Sequence, residues 1–61
     1  MLTNYRASIV RLVAESFPLE DHDRWMMTPH SALNGDWPAR AMQKGNEKAV
    51  YRLLLRLKQG N

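Results

Sequence analysis

From Tyr5 onward, apolar side chains return at Tyr5, Ile9, Leu12 and Val13, a spacing that sets all of them on one face of a helix. Arg6 and Glu15 fall largely outside that face. A strand fails, because its side chains repeat every second residue. Thr3 or Asn4 can accept from the orphan amides at the helix start. Pro18 removes a donor and turns Phe17 away from helical geometry, so the helix should close near Ser16. A second, short helix is expected between Leu19 and Met27, where Glu20, Asp21 and Asp23 precede Arg24 in the order that suits the helix dipole. Leu19, Trp25 and Met26 are expected to form its buried side, with Thr28 and Pro29 as its stop.

The following HSALNG is too short for a full helix and reads as a turn, or a single 3₁₀ turn, ending on Asn34 and Gly35. Pro38 suits a first helical turn behind Asp36 as cap, followed by the helix formers Ala39, Arg40, Ala41 and Met42, with Gly45 as the stop. Asn46 should cap a last helix in which Val50, Leu53, Leu54 and Leu57 form a stripe that must bury. Glu47, Lys48, Arg52, Arg56 and Lys58 tend to its other side, and Gly60 ends it. There is no internal repeat and no low-complexity segment. The expected fold is all-α: one domain over residues 1–61, a small bundle of about four helices, two long and two short.

Length sharpens that picture. A chain of 61 residues has room for one domain and buries only about 60% of the surface its unfolded form exposes, so association, as a homodimer or with a partner, would help it. With no cysteine there is no disulfide staple, thiolate metal site or thiol nucleophile. Six Arg and three Lys against six acids give a net charge of +3 spread along the chain, a mild excess that does not single out nucleic acid. Arg6 and Arg11 divide the apolar stretch near the N-terminus, so no signal peptide is expected and the reading is cytoplasmic. Apolar runs such as Trp25–Met27 and Leu53–Leu55 fall far below the roughly 18 residues of a membrane span, so no membrane partner is expected.

Candidate chemistry is thin. His22 and His30 lie close in sequence to Glu20, Asp21 and Asp23, yet a Pro break separates the histidines and no HExxH helix places both on one face. Exposed acids at a helix start are the plainer reading, and no metal is expected. Acid–base work by those carboxylates would need a cleft to separate their pKa values, which four short helices hardly offer. Ser31 follows His30 but lacks a third, orienting group. Gly35, Gly45 and Gly60 form no phosphate loop, each reading as a turn or helix stop. The chain is therefore expected to be no enzyme and to carry no cofactor.

Lys48, Arg52 and Arg56 recur every fourth residue, which suits either phosphate contacts or an ordinary solvated helix face. Trp25, Met26, Met27, Trp37 and Met42 are a heavy apolar load for so small a chain. Trp25 reads as core. Trp37, between Asp36 and Pro38 and near Arg40, reads either as core or as an interface anchor.

The stretch WMMTPHSALNGDWPARAMQKG, from Trp25 to Gly45, resembles the toxin-binding domain of Xre/MbcA/ParS-like antitoxins. That family's pattern is a Trp, a Pro followed by a short segment with Leu and Gly, then a second Pro opening a helix that ends in Gly. Trp25, Pro29, Leu33, Gly35, Pro38 and Gly45 are similar to it in order and spacing. Val50, Leu54, Leu57 and Gly60 resemble the aliphatic series and closing Gly of the family's last helix, so the likeness spans residues 25–60. It implies an all-helical domain that binds and blocks a cognate toxin, typically a RES-domain enzyme that consumes NAD, in a gene pair that regulates its own transcription.

Two departures stand out. Full-length antitoxins of this kind carry a helix-turn-helix ahead of the toxin-binding part, and residues 1–24 are too few to hold one, so nucleic-acid binding is not expected. Trp37 occupies a position where the family often has a small capping residue. The leading expectation is a non-catalytic module that occludes the active site of a protein toxin of RES type, or masks another protein target as a phage- or plasmid-type inhibitor. The expected contact residues are Asn34, Asp36, Trp37, Arg40 and Lys44, with Arg52 and Arg56 on the exposed side of the last helix. The alternatives are a small DNA-binding regulator using Lys48, Arg52 and Arg56, and a metal-dependent enzyme using His22 and His30.

Overall fold

Asn4 opens the first helix, its Oδ1 accepting from the amide of Ala7 at 3.1 Å. The computed structural model describes residues 4–59, and the roles expected of Thr3 and Gly60 lie outside the described residues. Helix α1 runs over Tyr5–Ser16 and presents Ile9, Leu12 and Val13 to the core. It stops where expected: Phe17 is extended (φ −136°, ψ 147°), the conformation that a following proline favours.

The expected second helix divides in two, a 3₁₀ turn at Leu19–Asp21 and helix α2 at His22–Met26. The division corrects the place given to Leu19, which is 81% exposed. Three residues of tighter 3₁₀ winding carry its side chain around the axis, away from the side on which Met26 is half-buried. Trp25 is the buried residue of α2, its ring centroid 5.3 Å from that of Phe17.

A 3₁₀ turn at Ser31–Leu33 leads to α3 at Pro38–Gln43. Trp37, in extended backbone, takes the N-cap position, and Asp36 is not the cap it was expected to be. Pro38 has no amide to offer, and Asp36 sits one residue too early to serve the next ones. The helix closes on Gly45 at φ +85°, where the Gly45 amide donates to the Met42 carbonyl (3.1 Å) and the Asn46 amide to that of Ala41 (2.8 Å). This is a Schellman closure, and it explains why a glycine stands there.

Helix α4, Glu47–Lys58, follows at once. Asn46 holds its N-cap position through the backbone, its side chain making no capping bond. Val50, Leu53 and Leu54 are buried, completing a core with Ile9, Leu12, Val13, Trp25, Leu33 and Ala41. α1 and α4 run side by side in the same direction: Arg6 pairs with Glu47 near their starts and Glu15 with Lys58 near their ends, and the ring of Tyr5, at the head of α1, packs at a tilt against that of Tyr51. Leu57 departs from the expected buried stripe at 42% exposure, because it lies in the last turn of α4, level with the end of α1. Among the described residues the fold is all-helical, four helices and two 3₁₀ turns without a strand, and no helix is long and apolar enough to cross a membrane.

Candidate functional site

The chain's irregular centre is a turn held by backbone hydrogen bonds. His30 lies in extended backbone; its amide donates to the Asp36 carbonyl, and its own carbonyl accepts from Leu33 and Gly35, each at 3.0 Å. Asn34 and Gly35 both take positive φ, 58° and 83°, the left-handed conformation that Asn tolerates and Gly adopts freely. Leu33 anchors the turn in the core, and the His30 ring packs on Trp25 with centroids 5.4 Å apart. Backbone pairing thus fixes where Asp36 and Trp37 leave the turn.

Asp36 is the hub of the surface that follows. Its Oδ2 accepts from Lys44 Nζ at 2.9 Å, and its Oδ1 lies 3.5 Å from Arg40 Nε. The Lys44 hydrogen bond holds the Asp36 carboxyl below its ordinary value; the positive charges of Lys44 and Arg40 act the same way, and partial burial opposes them. Arg40 in turn lies over the ring of half-buried Trp37, its guanidinium carbon 5.1 Å from the ring centroid. Exposed ion pairs of this kind contribute little to stability, but they hold two long side chains in one geometry beside an aromatic ring.

Asp36, Trp37, Arg40 and Lys44 therefore come together, with Asn34 exposed on the turn that precedes them. Arg52 and Arg56 do not join this cluster through any ion pair or stacking contact among the described residues. They line a separate concavity of about 310 Å³ with Lys48 and Asn46. Ala32, Ala49 and Leu53 supply its apolar lining. The spacing of the three cations was legible in the sequence, but the opposing Ala32 was not, because only the folded turn brings it there.

The histidines are occupied separately. His22 Nε2 lies 2.9 Å from the Phe17 carbonyl, to which it donates, whereas His30 packs on Trp25 with its Nε2 buried and unpaired. Asp21 pairs with Arg24, and no group of His, Asp and Glu among the described residues converges as a metal site would require. Ser31 is exposed, and no base contacts it among the described residues. The described residues thus place an aromatic–Arg pair beside Asp36 and, apart from it, a concavity lined by three cations. No family model, no curated protein sequence and no solved structure matches the chain.

Proposed function

We propose that this chain is a non-catalytic protein-binding module of the antitoxin kind, which covers the active site of a RES-type, NAD-consuming toxin. The reading draws on the resemblance of residues 25–60 to the toxin-binding domain of Xre/MbcA/ParS-like antitoxins. The observation that carries it is the half-exposed Trp37 ring with Arg40 laid over it, the guanidinium held by Asp36 at the exit of an ordered turn. Trp and Arg are the residue types most often found as binding anchors, and a pre-set anchor loses little entropy on docking.

Trp37→Ala should cost about 2 kcal/mol of binding, roughly thirtyfold in affinity, and Arg40→Ala should weaken the complex in the same direction. Titration calorimetry against a RES-type toxin reads both. Unchanged affinity in both variants would remove this surface from the interface.

A second reading, a small DNA-binding regulator, draws on one observation: Lys48, Arg52 and Arg56 line one concavity and enter no ion pair among the described residues. Phosphate binding would fall linearly in log affinity with log salt, by about 0.9 per phosphate neutralised, whereas a complex centred on Trp37 would respond less.

A further inference from the structure

The cations of this chain divide into two groups. Arg6, Arg24, Arg40, Lys44 and Lys58 each pair with a carboxylate of the chain itself. Among the described residues Arg11, Lys48, Arg52 and Arg56 enter no ion pair, and the last three share the α4 concavity. The acids are committed elsewhere: Glu15, Asp21, Asp36 and Glu47 hold other cations, and Glu20 and Asp23 sit in the segment before Trp25 and do not line the cleft. Three like charges thus flank one cleft whose lining holds no acid of the chain, and an anionic occupant is what would neutralise them.

We infer that the α4 cleft takes an extended acidic segment of the protein partner, its alternate carboxylates held by Lys48, Arg52 and Arg56. This rests on the reading of the chain as a protein-binding module and names the chemistry of the segment that docks there. Residues four apart on a helix are separated by about 6 Å along its axis, and alternate residues of an extended chain by about 6.7 Å, so successive carboxylates meet successive cations. Arg presents a planar fork that suits a carboxylate, and Ala32, Ala49 and Leu53 give the cleft the apolar part of its lining. Nucleic acid fits less well. Unpaired strands are gripped by aromatic platforms on which bases stack, and none of the residues lining the cleft is aromatic. A duplex presents a broad convex surface that would bridge the rim without using the apolar lining.

The test is fluorescence anisotropy of the full chain with a labelled peptide of alternating Asp and Val, its Asn–Val counterpart, a DNA single strand and a DNA duplex. The Asp–Val peptide should bind at least about tenfold tighter than the Asn–Val peptide and tighter than either DNA. Arg52→Gln with Arg56→Gln should abolish that preference at unchanged helical circular dichroism, Arg52→Lys with Arg56→Lys should keep part of it, and Arg11→Gln, which removes an unpaired cation outside the cleft, should leave it intact. Equal binding of the two peptides, or tighter binding of either DNA, overturns the inference. Loss of toxin binding with the peptide preference intact would instead sink the toxin reading alone, and toxin binding indifferent to Arg52→Gln with Arg56→Gln would sink the cleft alone.

Discussion

The surface around Asp36 and the cleft along α4 use the same kinds of cation to opposite ends. At Asp36, one carboxylate takes up both Arg40 and Lys44, and the pairing sets the attitude of the guanidinium over Trp37. Along α4, Lys48, Arg52 and Arg56 stand a turn apart with no carboxylate between them, an arrangement that costs a helix about 0.2–0.5 kcal/mol per like-charged pair. Charge in the first region serves local shape. In the second, neighbouring cations repel one another, and an anion bound between them would relieve that repulsion.

The harshest way to break the comparison is to remove the scaffold both regions share. Leu54 is fully buried in α4, and Leu54→Ala should cost about 2–5 kcal/mol, enough to unfold much of a domain whose total stability is of that order. A thermal melt should lose its cooperative transition, and Trp37-dependent and cleft-dependent binding should vanish together. Survival of either one would show that the regions do not depend on a common core.

A smaller effect separates the regions by pH. The Asp36 carboxyl lies below its ordinary value when folded, so its contribution to stability is complete above about pH 4 and is lost as pH falls through the folded value. Asp36→Asn should lower the melting temperature at neutral pH, and its gap from the wild type should narrow as the solution is acidified below about pH 4. A gap independent of pH would mean that the Lys44 and Arg40 contacts hold nothing in place. Glu15, lowered mainly by its hydrogen bond to Lys58, adds stability with the same sign and is present in both proteins.

The smallest effect sharpens the contrast most. Arg52→Gln relieves two like-charge contacts and should raise stability by about 0.4–1 kcal/mol, read from the denaturation midpoint, most clearly at low salt. Arg40→Gln removes a paired cation and should not raise it. A destabilising Arg52→Gln would mean that its stem packs on Leu53 or Ala32 and that its charge is incidental.

Much of this was legible in the sequence because it is local. The period of Tyr5–Val13, Asn4 and Pro18 at the ends of α1, the Asn34–Gly35 turn and the Pro38–Gly45 brackets of α3 each act within a few residues. The cluster of Asp36, Trp37, Arg40 and Lys44 spans less than three helical turns, so its members could be named together. What escaped depends on distant neighbours. Periodicity says that Leu57 shares a face with Val50 and Leu54, but not that α1 ends level with it. Leu19 turns outward because Pro18 is followed by a 3₁₀ turn, and charge order alone does not distinguish that turn from an α-helix. The carboxylate of Asp36 has two uses, cap or ion pair; Pro38 and the position of Asp36 remove the first, and Lys44 eight residues on takes up the second.

The central claim is that a protein partner's active site is covered by this chain, and the most direct measurement is the NAD consumption of a RES-type toxin titrated with it. The account predicts a fall in activity to an end point at a fixed stoichiometry, shifted to higher concentration by Trp37→Ala. Undiminished NAD consumption at saturating chain, with the chain folded, would contradict it.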